Sequence, residues 1–469
     1  MIDRAARRRI VLLILLCPMA AAPRAFAADS PATAAAGLSQ KALSDGWSYS
    51  FLEGLTSEIG PRLAGTEAEA RAADWVAAKL KAAGMEVHLE TFPMTAWIRG
   101  VETAEVVKPS PQRLILTALG GSVATPPEGI EAEAVVFRTY GALLAATPGS
   151  LTGKIAVVTE HMVRTENGEG YGAASPIRRS GASEAARRGA VAYLHRSLGT
   201  DNHRLPHTGA LNYIDGVPRI PAAALSAPDA EQLERLAALG LVTVHVTLTP
   251  SERPNAQSVT VVGEISGREK PNEIVLIGAH LDSWDLGTGA IDDGAGDAIV
   301  AGVGRLIAAL PQHPRRTVRV VLFGAEEMDY SNAAYAKAHT AEADRIVIAG
   351  ETDFGARRVY AAQFPLGAAE SPFGKAVGEV LPPLNVLLRR ESAPYGGADI
   401  EGLHLAGVPV LLVSQNGMDY FDVHHSADDT FDKVDPAELA QNVAVWSAVT
   451  YLAAETEVDF RAIAKVAPR

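Results

Sequence analysis

A chain of 469 residues with 48% hydrophobic and 21% charged residues has an ordinary globular balance and enough apolar material for a large core. Its formal charge of −13 argues against nucleic acid or an anionic membrane as a general partner. A single cysteine, Cys17, leaves no disulfide framework within the chain.

The first stretch predicts an export signal. Arg4, Arg7, Arg8 and Arg9 form a basic start, an apolar run opens at Ile10, and Ala25-Phe26-Ala27 is a small-x-small cleavage site. Residues 1–27 are therefore expected to leave as a signal peptide, giving a periplasmic or secreted product, with an uncleaved N-terminal anchor as the alternative. The run falls short of the about 20 apolar residues that a membrane helix needs. Leu16 stands where a lipoprotein site before Cys17 wants a small residue. The apolar run suits the general secretory route better than Arg7-Arg8 suits a twin-arginine signal. No later stretch is long and apolar enough to span a membrane, so no membrane partner is expected after cleavage.

An Ala-rich linker is expected over residues 28–36. Helical patterns follow over about 40–59 and 67–83, the second with Ala73, Val76, Ala77 and Leu80 at helical spacing. The turn Gly60-Pro61-Arg62 separates them, and residues 85–92 alternate like a strand. From Trp97 to Asn255 the texture changes to short β-like runs at 134–137, 155–158 and 242–248, broken by Pro and Gly. A strand-helix-strand passage runs through 155–158, 182–188 and 190–194. This segment shows no catalytic cluster. His195, His203 and His207 lack ligand spacing and are expected at the surface or a hinge. The remainder alternates strands at 274–279, 318–323, 346–349 and 408–413 with helices at 294–310, 332–339 and 436–454. That pattern predicts an α/β class with a mixed, mostly parallel sheet flanked by helices.

In such sheets ligands bind at the carboxyl ends of strands. There the sequence offers His280-Leu281-Asp282-Ser283, Asp292-Asp293-Gly294, Glu326-Glu327, Glu351-Thr352-Asp353, and His424-His425 followed by Asp429-Thr430. Each alone reads as ordinary surface. Five segments delivering acids and imidazoles to one edge do not, because so many carboxylates repel one another unless cations are bound. Imidazole mixed with carboxylate, without thiolate, suits zinc and also cobalt or manganese. Two metals need a bridging carboxylate, for which Asp292 is the natural candidate.

The run Gly278-Ala279-His280-Leu281-Asp282-Ser283, the loop Asp292-Asp293-Gly294-Ala295-Gly296, the triplet Ala325-Glu326-Glu327 and the ending His425-Ser426 with Asp429-Thr430 resemble the co-catalytic zinc peptidases of the M28 family. Further matches at Ile59-Gly60-Pro61-Arg62-Leu63, Thr125-Pro126-Pro127-Glu128-Gly129-Ile130, Pro206-His207-Thr208-Gly209 and Phe421-Asp422-Val423-His424-His425-Ser426 point to one branch of it. The resemblance implies an aminopeptidase-like phosphorylase/hydrolase fold over 28–96 and 256–469. A β-rich protease-associated insert over 97–255 would interrupt it and cover the active-site edge.

It also implies two Zn2+ per chain, one held by His280, Asp292 and Asp353, the other by Asp292, Glu327 and His425. Of the two adjacent histidines, His425 is the matching ligand because the family motif sets it directly before Ser or Thr. Glu326 matches the general base, and Asp282 the acid that accepts the other ring proton of His280. Many members carry Tyr at the position of His424, whose N–H would donate to the oxyanion in its stead. The implied substrates are short peptides with free termini, cut by an exported dipeptidase or carboxypeptidase. A general aminopeptidase is the alternative, since the sequence does not fix which terminus is gripped. A homodimer is implied by the resemblance alone. A binding module without chemistry and a single-zinc glutaminyl cyclase share the fold, and the full ligand set argues against both.

Overall fold

The computed structural model describes residues 30–466, so the export signal expected over 1–27 lies outside the described residues. Ser30 starts the first helix, α1 (Pro31–Ser44): its hydroxyl accepts the Thr33 N–H, and Pro31 sits in the first turn, where its missing N–H costs nothing. The expected linker is thus helical from Pro31 onward. Its alanines pack rather than solvate, with Ala35, Leu38 and Ala42 buried and Ser39 donating to the Ala444 carbonyl of the C-terminal helix. The single helix expected over 40–59 breaks at extended Asp45, whose carboxylate accepts the Trp47 N–H and starts α2 (Trp47–Gly54). Helix α3 (Glu67–Ala82) follows, with Glu67 and Glu69 in its first turn and Lys79 and Lys81 in its last, matching the helix dipole.

The central sheet consists of β1 (Glu86–Ile98), β2 (Ser251–Ile265), β3 (Lys270–His280), β4 (Arg316–Phe323) and β5 (Ile346–Glu351), in the order β1-β2-β4-β3-β5. β3 runs parallel to β4 and β5, whereas β2 is antiparallel to both β1 and β4. The sheet is therefore evenly mixed rather than mostly parallel. The reason is that the chain leaves along β1 and returns along β2. The two strands stay paired out to Trp97↔Glu252 and Ile98↔Ser251, forming a ribbon that carries the intervening residues. β3 and β4 are buried on both faces, as central parallel strands are. Alternate residues feed two cores. Val275 and Ile277 meet the cluster of α1, α2, α3, the helix Ala295–Ala308 and the helix Pro436–Glu455, while Ile274 and Leu276 meet the one around Tyr335 and Leu403.

A second, three-stranded sheet joins β6 (Val359–Phe364), β7 (Leu387–Ser392) and β8 (Leu412–Gln415). A parallel bridge from Ala349 to Val410 sets the approach to β8 beside β5. Between β1 and β2, residues 102–248 build an eight-stranded sheet of their own around a separate core that includes Val157, Leu194, Val244 and Val246. His195 lies fully buried on one of its strands, not at the surface, with Nδ1 2.6 Å from the Arg196 carbonyl. Burial holds it near pKa 4, so it stays neutral. His203 is exposed as expected.

Candidate metal centre

The carboxyl ends of β3, β4 and β5 point the same way because the three strands are parallel neighbours. His280 is the last residue of β3, Glu326 and Glu327 follow β4, and Asp353 follows β5. Asp292 comes from the loop ahead of α4 (Ala295–Ala308), and His424 and His425 from the loop beyond β8. All eight sequence-predicted residues, Asp282 included, converge at this edge.

Asp292 is the centre of the arrangement. Its Oδ1 lies 3.1 Å from His280 Nε2, and its Oδ2 lies 3.1 Å from His425 Nε2. Asp353 Oδ1 is 3.5 Å from His280 Nε2, and Glu327 Oε2 is 3.0 Å from His425 Nε2. Two three-residue groups bring their donor atoms within 4.8 Å of one another: His280, Asp292 and Asp353, and Asp292, His424 and His425. His424 thus also reaches the second group, its Nε2 3.4 Å from Asp292 Oδ2 and its ring stacked 3.5 Å from that of His425.

The donors fit a cation on their own chemistry. Asp292 Oδ2, Asp353 Oδ1 and Glu327 Oε1 are buried without a hydrogen-bond partner, a costly state for carboxylate oxygens that cation ligation would relieve. Burial opposes charge on His280 and His425, yet the surrounding acids outweigh it and push both well above the ordinary imidazole range. Protons here balance charge that a divalent ion would balance instead. Burial, with His425 beside it, drives His424 the other way and keeps that ring neutral.

A frame of buried polar groups holds these loops. The Asp282 carboxylate accepts the backbone N–H groups of Glu326 and Glu327, at 2.9 and 3.3 Å. The ring N–H of His280 at Nδ1 donates to the Asp282 carbonyl at 3.0 Å, with the carboxylate 3.7 Å away. Asp429 accepts three consecutive N–H groups, from Ala290, Ile291 and Asp292, and so fixes the loop carrying the central carboxylate. Fully buried Arg62 binds the carbonyls of Gly60, Leu281, Thr288 and Gly289 and offsets the nearby acids. Ala325 and His425 both adopt φ +60, a left-handed conformation unusual for non-glycine residues and found where a loop must aim a functional side chain.

Other residues were not singled out from the sequence. His207, expected at the surface or a hinge, is buried. Its Nδ1 lies 2.6 Å from the His424 carbonyl and its Nε2 2.9 Å from Asp201 Oδ1, so it steadies the loop of the paired histidines. Its only signal was the Pro206-His207-Thr208-Gly209 match. Residues 97–255 also bring Tyr171, Arg178 and Arg179 to the cavity over the centre. An Arg-Arg pair on a helix reads as solvated surface in sequence, so nothing there pointed to it. The cavity measures about 320 Å³ and takes in Asp292, Glu326, Glu327, Asp353 and both histidines.

Comparison with known proteins bears on this geometry. The family model of Peptidase family M28 matches residues 260–450, which hold the five central donors and Glu326. Over 413 residues the chain is 35% identical to carboxypeptidase Q from Bos taurus, covering 87% of this chain and 86% of that protein. The chain belongs to peptidase family M28. It is a metallopeptidase. A crystal structure of a peptidase M28 precursor from Shewanella amazonensis is 44% identical, covers 92% of this peptidase and 98% of that chain, and superposes with a TM-score of 0.89. A zinc aminopeptidase from Bacillus subtilis shares the fold at 20% identity, with a TM-score of 0.63 over 88% of this chain and 95% of that one. Among the described residues, no helix is long and apolar enough to cross a membrane.

Proposed function

We propose that this M28 peptidase is an exported exopeptidase that holds two zinc ions and cuts short peptides with free termini, in the manner of a dipeptidase or carboxypeptidase. The observation that carries the reading is the Asp292 carboxylate, with one oxygen toward His280 and the other toward His425. A carboxylate can serve two cations through its two oxygens, which a neutral imidazole cannot. One ion would be held by His280, Asp292 and Asp353, the other by Asp292, Glu327 and His425. When bound, the ions lower the pKa of water to roughly 7 and polarise the scissile carbonyl.

The chain's own residues supply the rest. Glu326 lines the cavity next to the ligand Glu327 and, among the described residues, has no side-chain hydrogen bond holding it elsewhere, so it is free to take a proton from the attacking water and return it to the leaving amine. Its carboxyl is pushed well above the usual range by burial and by Asp353, Asp399 and Glu327, and divalent charge would bring it down again. Asp282 sets the angle of the Glu326-Glu327 turn and steadies His280. His424, neutral and facing the cavity, is placed to donate to the oxyanion. Residues 97–255 form a protease-associated domain that roofs the cavity and limits it to short substrates.

Metal analysis of the purified protein tests this directly. Two equivalents of zinc are expected, with a loss of at least one in Asp292→Asn. Less than one equivalent in the parent protein would overturn the reading. An aminopeptidase is the second reading, favoured by the acids Glu351 and Asp353 that line an adjoining cavity of about 420 Å³, where a peptide ammonium could sit. Turnover of a dipeptide, its N-blocked form and its C-amidated form separates the two: an aminopeptidase tolerates amidation, a carboxypeptidase tolerates N-blocking, and a strict dipeptidase tolerates neither.

A further inference from the structure

Asparagine precedes glycine twice in the chain, at Asn167-Gly168 and at Asn416-Gly417, and the fold brings both steps against one aromatic ring. A Cβ at Gly168, which has φ +77, would stand 2.9 Å from Phe354 Cζ, and one at Gly417 would overlap the same ring. The close approach therefore requires glycine at both positions. Phe354 follows Asp353 in sequence and lines the cavity over the metal centre, as Asn167 does.

The pairing has a chemical consequence. With no side chain on the following residue to shield it, a backbone nitrogen can reach the asparagine Cγ and close a cyclic imide. The two steps share one feature that favours this. Each Asn Oδ1 accepts the N–H two residues on, from Glu169 at 3.3 Å and from Met418 at 3.0 Å. A donor at that oxygen stabilises the negative charge that builds there as the nitrogen attacks. The attacking nitrogens differ. Gly417 is buried and its N–H donates to the Glu166 carbonyl at 2.8 Å, while Asn416 Nδ2 donates to Glu166 Oε1 at 3.3 Å. Gly168 N–H has no hydrogen-bond partner among the described residues, and Asn167 is exposed to water.

We propose that Asn167 is a site of spontaneous deamidation in the folded protein, whereas Asn416 is protected from it. Gly168 N bonds to Asn167 Cγ and the Cγ–Nδ2 bond breaks. The proton of Gly168 N passes through solvent to Nδ2, which leaves as ammonia. One water molecule then opens the imide, at the Cγ–N bond to give aspartate or at the backbone carbonyl–N bond to give isoaspartate. No oxidant or reductant takes part. Either product sets a carboxylate on the cavity rim where a neutral amide stood. Isoaspartate also adds a methylene to the backbone beside Gly168, where the chain packs against Phe354.

The test incubates the full folded chain in mildly alkaline water enriched in heavy oxygen, then digests it with trypsin in ordinary water. Cleavage after Arg164, Arg178, Arg390 and Lys433 places the two steps on separate peptides, 165–178 and 391–433. Peptide 165–178 should gain labelled oxygen and isoaspartate at least about tenfold faster than 391–433, because Gly417 N–H must first open from its hydrogen bond. The chain unfolded in urea should label both peptides, which ties the difference to the fold. Asn167→Gln, whose longer side chain would have to close a larger ring, should remove the label from 165–178. Equal labelling of the two peptides in the folded chain overturns the proposal. So does an unlabelled 165–178 over the time in which the unfolded chain labels it.

Discussion

At the scale of single residues, the centre separates groups that would bind metal from groups that would move protons. Glu326 and Glu327 are neighbours in sequence, yet Glu327 reaches His425 Nε2 at 3.0 Å while Glu326 faces the cavity. Glu326→Gln is therefore expected to keep the metal content of the parent protein and to lower kcat by about 10²–10⁴, the usual worth of a general base. Loss of metal together with activity would show that Glu326 ligates instead. Arg62 has the opposite character. Among the described residues its guanidinium hydrogen-bonds only to backbone carbonyls, and it does not line the cavity, so Arg62→Leu should act through stability. It leaves four carbonyls unpaired and the buried Asp282, Asp293, Asp297 and Asp429 without compensating charge. A loss of about 3–5 kcal/mol in urea unfolding is expected, the cost of breaking buried charge compensation.

At the scale of elements, an ion-pair network ties the sheet to the helix Ser331–His339. Arg319 of β4 binds Glu264 of β2 and Glu342, and His339 bridges Glu342 and Glu90 of β1. Burial alone would raise the Glu342 carboxyl, but hydrogen bonds and charge from Arg319 and His339 outweigh it and hold it near 2, below its ordinary 4.5. A carboxyl depressed in this way stabilises the fold fully above pH 4.5 and loses that contribution as pH falls toward 2. Glu342→Gln should lower Tm at pH 7 and flatten the fall of Tm between pH 4.5 and 2. A Tm–pH curve parallel to that of the parent protein would mean that the network contributes nothing in acid.

Elements were legible where periodicity was strong. The strands at 318–323 and 346–349 and the helix from Pro436 were placed within a few residues of their observed bounds. The linker over 28–36 was not, because an alanine run carries no polar face to mark the stripe that packs. The kink at Asp45 was missed for a related reason: one Asx-type hydrogen bond to Trp47 interrupts a pattern that is otherwise continuous.

At the scale of the whole molecule, the eight-stranded sheet over 102–248 hangs from the β1–β2 ribbon and returns Arg178 and Tyr171 to the cavity. With Tyr171, Arg178 and Arg179 set over the cavity, kcat/KM should fall at least about tenfold from dipeptides to tetrapeptides, because a longer chain must pass this roof. A flat dependence on length would show that the roof opens freely.

The sequence by itself determined the α/β class and pointed to the acids and histidines that the structure gathers at the centre. Both are encoded locally, in the period of apolar residues and in the residue types placed where strands end. Only the tertiary structure decided the even mix of strand directions, the roles of Arg62, His207 and Asp429, and the burial of Arg178 at the cavity. Those depend on which distant groups share a buried space, and burial turns an ordinary arginine or histidine into one whose missing or satisfied partner matters.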